Sequence, residues 1–125
     1  MHENEIAKIV VDCSVKIHKT LGPGLFESVY EAALDYELRQ VGLFSQTQFA
    51  IPVVYESIKL DAGFRADIIA ENKVIIEIKS VEAIAPVHKK QLLTYLRLSN
   101  RKLGLLINFN VELLKDGITR IVNNL

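Results

Sequence analysis

The sequence predicts an α/β fold, a sandwich in which helices cover a mixed central sheet. Three observations predict it. The N-terminal third carries apolar residues at helical spacing. The middle of the chain switches to a period of two and to isoleucine-rich runs joined by a tight connection. A further helix then leads into a near-continuous apolar run, the pattern of a strand buried on both faces. With 125 residues the chain suffices for one domain, residues 1–125, around one core.

In order along the chain, Ile6, Ile9, Val10, Cys13, Ile17 and Leu21 fall on one helical face, and Lys8, Asp12, Lys16 and Lys19 lie elsewhere. This helix stops at Gly22-Pro23-Gly24. A second helix runs from about Phe26 to Val41, with Val29, Tyr30, Ala33, Leu34 and Leu38 mostly inward, and stops at Gly42. Glu27 sits in its first turn, where a carboxylate is favourable against the helix dipole. Phe49, Ile51, Val53 and Tyr55 alternate with Ala50, Pro52 and Val54, and Pro52 marks this strand as an edge or bulged one. Phe64–Ala70 and Val74–Ser80 are strands, and Glu71-Asn72-Lys73 joins them as a hairpin. Pro86 opens a third helix that ends near Leu98. Lys102–Phe109 is the doubly buried strand, and Ile118–Val122 is a short candidate for a last one.

Half of the residues are hydrophobic and 24% are charged, a composition that excludes a disordered chain. No apolar run approaches the ~20 residues of a membrane span. The start, MHENEIAKIV, lacks the basic-then-apolar pattern of a signal peptide. Cys13 is the single cysteine, which excludes an internal disulfide and a zinc site built on several cysteines, and suits a reducing cytoplasm. A cytoplasmic location is therefore expected. The formal net charge is zero, so nothing global announces nucleic-acid binding. The distribution is uneven, however. From Ala83 to Val111 there is no Asp or Glu, while His88, Lys89, Lys90, Arg97, Arg101 and Lys102 fall there. On charge alone, a solvated helix face is the plainer explanation.

The hairpin carries the chemistry. Side chains alternate across a strand. Phe64, Ala66 and Ile68, with Val74, Ile76 and Ile78, form a wholly apolar face, and Arg65, Asp67, Glu77 and Lys79 gather on the other. With Glu71-Asn72-Lys73 as a three-residue loop, Ala70 pairs with Val74, Ile68 with Ile76, and Asp67 stands opposite Glu77. Facing carboxylates about 5 Å apart at their β-carbons repel. A divalent cation gives a reason to place them there, since Mg2+ takes one or two carboxylates plus water and substrate phosphate. Lys79 then lies beside the metal, where it orients a water or offsets charge on the transition state. A surface charge pair is the plain explanation of Glu77 and Lys79 alone. An even-length loop would separate Asp67 from Glu77. On the following helix His88, Gln91 and Tyr95 make one stripe, half buried in an ordinary amphipathic helix or facing the same pocket.

Asp67 followed by Glu77-Ile78-Lys79 resembles the PD-(D/E)xK nuclease signature. Gln91-Leu92-Leu93-Thr94-Tyr95 is similar to the QxxxY motif of the RecB-like branch, and Gly24-Leu25-Phe26-Glu27-Ser28-Val29-Tyr30 to the motif of the GxxExxY protein family. The resemblance runs from about Ile6 to Val122. It implies a three-layer restriction-endonuclease-like core, Asp67 and Glu77 as metal ligands, and Lys79 as the catalytic lysine. It also implies Glu27 as an acid that joins the metal shell directly or through water, and Gln91 and Tyr95 as the motif after the catalytic strand. Ala66 stands where the superfamily's name has proline.

The expectation is a nuclease that uses Mg2+ or Mn2+ and hydrolyses phosphodiester bonds with a metal-activated water. Its catalytic residues are Asp67, Glu77, Lys79, Glu27 and Gln91, and Arg65, His88, Lys89, Lys90 and Tyr95 bind substrate. DNA is favoured over RNA as partner, and no membrane. Little chain remains to read base sequence, so weak specificity, a protein partner or a homodimer is expected. The alternative is a non-catalytic module that keeps the fold and binds nucleic acid or protein. Zero net charge favours it mildly, and the intact set of site residues argues against it.

Overall fold

The computed structural model describes residues 1–125, apart from the side chains of Asp61 and Ala62. Helices α1 (Glu3–Leu21) and α2 (Glu27–Gln40) precede strands β1 (Ser45–Tyr55), β2 (Ile58–Ala70) and β3 (Val74–Lys79). Helix α3 (Pro86–Ser99) leads into β4 (Leu103–Asn108), a 3-10 turn (Leu114–Gly117) and β5 (Ile118–Val122). The expected order ααβββαβ is observed, with the final strand. The strands lie in the order β1-β2-β3-β4-β5. Only β3 and β4 are parallel, with α3 as their crossover, so the sheet is mixed.

Two apolar clusters cover the sheet. Ile6, Val10, Ile17, Tyr30, Leu34 and Leu38 of α1 and α2 pack on Val74, Ile76 and Ile78 of β3 and on Leu103, Leu105 and Ile107 of β4. Leu92, Tyr95 and Leu96 of α3 pack on Ile75 and Leu106, which point the other way. The alternation along β3 and β4 thus builds three layers. Among the described residues no helix is long and apolar enough to cross a membrane.

The β2–β3 register is the one the three-residue loop dictates: Ala70 pairs with Val74 and Ile68 with Ile76. Glu71 and Asn72 turn the chain with positive φ, 52° and 55°. β1 is an edge strand, and its register with β2 shifts between Ile51 and Val53, around Pro52. Two features differ from expectation. β1 and β2 form a long hairpin across Glu56-Ser57, with Tyr55 paired to Ile58. Glu56 takes the left-handed conformation there without the usual glycine or asparagine, so the turn carried no sequence signal. The apolar face of β2 is also not continuous. Ile68 and Ala70 pack toward α1 and α2, whereas Phe64 and Ala66 pack with Ile69 toward α3. The change of face falls at Asp67.

Gly117, at the end of the 3-10 turn, is buried, and a β-carbon there would run into the backbone carbonyl of Asn108. Backbone cannot move aside as a side-chain tip can, so Gly117→Ala is expected to cost about 2 kcal/mol. A lower midpoint in urea unfolding, with unchanged slope, checks this.

Candidate active site

Glu77 lies on β3 between Ile76 and Ile78, which face α1 and α2, so its side chain points to the α3 side. It is buried, at 8% exposure, and its Oε1 is fully buried with no hydrogen-bond partner. β2 and β3 stop pairing after Ile68 and Ile76. Where the next backbone bonds would form, Asp67 inserts its side chain, and its Oδ2 accepts from the Ile78 amide at 2.8 Å. The two acids are therefore neighbours across parted strands. Burial, and then the negative charge of Asp67, push the Glu77 carboxyl up to about 9, while Lys79 pulls the other way. At neutral pH the metal-free Glu77 keeps its proton.

These residues fit a divalent cation. A buried carboxyl oxygen without a partner is costly, and a cation between Glu77 and Asp67 satisfies it in place of the proton. Among the described residues no three His, Cys, Asp or Glu side chains gather as a metal cluster. The protein thus offers two carboxylates, the number Mg2+ usually takes alongside water and substrate phosphate.

Lys79 is half-buried at the end of β3, two residues beyond Glu77 on the same side. Its carbonyl accepts from Phe109 N at 2.9 Å. Glu27 does not join the pair. Its Oε2 accepts from the Ser80 amide at 2.9 Å, and Ser80 Oγ donates to the Leu25 carbonyl at 2.7 Å. The Gly22–Phe26 loop is latched by Tyr30, whose hydroxyl donates to Gly22 O at 2.6 Å and accepts from Leu25 N at 3.2 Å. Tyr30 is itself buried and stacked on Phe109, with centroids 4.4 Å apart. Gly22 and Gly24 supply the positive φ, 72° and 94°, that the loop needs. The Gly-Glu-Tyr motif works here as one clamp on the residue that follows Lys79.

Sequence reasoning missed two participants. Asn108, buried at the end of β4, accepts from Val81 N and Asn110 N, each at 3.1 Å, and donates to Val81 O at 2.9 Å. It holds the exit of β3 from the neighbouring strand β4, and its only signal was an amide closing an apolar run. Glu31 lies one turn after Glu27. Burial, and then the charges of Asp67 and Asp35, raise its carboxyl, while a 2.7 Å bond from Gln48 Nε2 opposes them. Glu31 is thus the α2 acid whose charge is felt with that of Asp67, and its signal was the spacing of four from Glu27.

On α3, Tyr95 is buried and stacks on Phe64 with centroids 3.6 Å apart. Burial first, then the charges of Glu77 and Asp67, raise its phenol, and the Gln91 amide works against them. Tyr95 therefore lies within electrostatic reach of the two acids, with the exposed Gln91 one turn before it. His88 Nδ1 accepts from Ala85 N at 3.1 Å and caps the start of α3. Lys89 and Lys90 are exposed beside it, and exposed Arg65 donates to Gln48 O at 3.1 Å.

The unfolded chain releases the Glu77 proton near 4.5 and the folded chain near 9. Between these values the folded state holds the extra proton, so stability falls as pH rises. The melting temperature of the metal-free protein is expected to decline from about pH 5 to about pH 9, and Glu77→Gln to flatten that decline. Equal slopes in the two proteins would show that Glu77 titrates normally.

The model of the PD-(D/E)XK nuclease superfamily matches residues 4–121. No curated protein matches the chain. No solved structure does either. The family match takes in all but the first residue of α1 and the last residue of β5, with Asp67, Glu77 and Lys79 inside it. With its three layers and mixed sheet, the chain belongs to the PD-(D/E)XK nuclease superfamily.

Proposed function

We propose that the protein is a divalent-metal-dependent nuclease that hydrolyses nucleic-acid phosphodiester bonds with little sequence specificity, DNA being favoured over RNA. Within the superfamily we place it in the GxxExxY family and the QxxxY branch, because Gly24, Glu27 and Tyr30 act in one clamp and Gln91 acts on the Tyr95 phenol, which feels the charges of both acids. The observation that carries the proposal is the buried, unpartnered Oε1 of Glu77 beside Asp67.

Asp67 and Glu77 would hold Mg2+ or Mn2+. When bound there, the cation supplies an acidified water and positive charge against the phosphate. Asp67 keeps one oxygen on the Ile78 amide, which fixes the direction of its other lone pairs. Lys79 presents an ammonium to the attacking water or to the developing negative charge. Glu27 and Asn108 act on the backbone at Ser80 and Val81, so they hold Lys79 in place without touching substrate. Lys89, Lys90, Arg65 and the start of α3 at His88 supply phosphate contacts. Because the chain has no net positive charge, these contacts carry the attraction locally, and binding weakens with salt.

The purified protein is expected to nick or degrade DNA with Mg2+ or Mn2+, and chelation to stop it. Glu77→Gln and Lys79→Ala are each expected to slow cleavage about 100-fold or more. Initial rates on labelled plasmid and oligonucleotide check this, with melting curves to show that both variants fold. Cleavage that survives both substitutions contradicts the assigned site.

A further inference from the structure

We propose that Phe26 is a stacking platform for an unpaired nucleobase beside the scissile bond, and that the preferred substrate is single-stranded or frayed nucleic acid. The inference rests on the nuclease function proposed above and adds the substrate class to it.

Phe26 breaks two local rules. Its side chain is 83% exposed, the most exposed large apolar group among the described residues. It is also the N-cap of α2, and it makes no capping hydrogen bond. Ser, Thr, Asp or Asn would serve folding better at that position. The ring neither packs nor caps, and such breaches concentrate at functional positions.

Its mounting is nonetheless firm. The residue before it bonds Ser80 Oγ through the Leu25 carbonyl, and the residue after it bonds the Ser80 amide through Glu27. Tyr30 ties the same loop to the core. Ser80 directly follows Lys79, so the clamp that orders the end of β3 also anchors the backbone on either side of Phe26, whose ring stands in solvent. Leu25 and Val29, 38% and 41% exposed, flank the ring with apolar surface. An exposed aromatic face whose neighbours in the chain are bonded to the residue after Lys79 suits a nucleobase, because every base offers a π-face and stacking is indifferent to sequence. Paired bases are covered on both faces by their neighbours, so only an unpaired base or an open end can reach the ring.

The chain contains no tryptophan, so Phe26→Trp makes position 26 its sole strong emitter. In Ca2+, a single-stranded oligonucleotide of thymidines is expected to quench this emission, and an abasic strand of equal length to leave it unchanged. Phe26→Ala is expected to weaken binding of the thymidine strand about tenfold, the size of one base–aromatic stack, to leave binding of a blunt duplex unchanged, and to keep the wild-type melting temperature. Equal quenching by the abasic strand, or unchanged affinity of Phe26→Ala, overturns the stacking role. In that case, Mg2+-dependent cleavage by Phe26→Ala that is lost on Glu77→Gln leaves the nuclease function standing. A wild-type protein that neither binds nor cuts any strand overturns both.

Discussion

The interior of the sheet holds an acid that the fold does not satisfy. Glu77 is buried with one oxygen unpartnered, and the charge that weighs most on its carboxyl is that of another carboxylate, Asp67. Burial and like charge both act against ionisation, and the carboxyl rises to about 9. Much of the local structure follows from accommodating this pair. β2 and β3 stop pairing next to it, Asp67 takes the Ile78 amide, and β2 changes face at the same residue. Of the sheet's two irregularities, the one within the β2–β3 pair falls where two carboxylates meet, and the other lies around Pro52 on the edge strand.

The end of β3 is the second place where the molecule concentrates hydrogen bonds. Ser80 is held by Glu27 of α2 and by Leu25 of the loop before it, and Val81 is held from β4 by both functions of the Asn108 amide. Tyr30 and Gly22 hold the loop that holds Ser80. Lys79, with no bridging carboxylate of its own among the described residues, gains a fixed backbone while its ammonium is held by no ion pair. Loops that must position a reactive group are commonly stiffened in this way by a scaffold of supporting bonds. The cost is local: Gly22 and Gly24 stand at positive φ, which glycine adopts without the strain a side chain would add.

Much of this was legible in the sequence. Apolar spacing located the first two helices, which Gly22-Pro23-Gly24 and Gly42 ended, and Pro86 opened the third. The hairpin register followed from a three-residue loop and from isoleucines that had to face inward, and it brought Asp67 to Glu77. What sequence could not supply were bonds between parts distant along the chain. The parting of the strands at Asp67 depends on a side chain replacing a backbone acceptor, and period-two patterning contains no sign of it. The target of Glu27 depends on where β3 ends against α2, 53 residues away. His88 matched a functional stripe by spacing, yet its ring nitrogen caps its own helix. The β1–β2 turn at Glu56-Ser57 was hidden because a glutamate adopts the conformation that glycine usually marks.

The central claim is that Asp67 and Glu77 share a divalent cation. A crystal of the protein soaked in Mn2+ and measured at the manganese absorption edge tests it most directly. The account predicts an anomalous peak between the two carboxylates, with an oxygen of each at about 2.0–2.2 Å, typical of a small divalent ion, and loss of the peak in Glu77→Gln crystals. An ordered crystal with no peak between Asp67 and Glu77, or with manganese bound elsewhere, would contradict it.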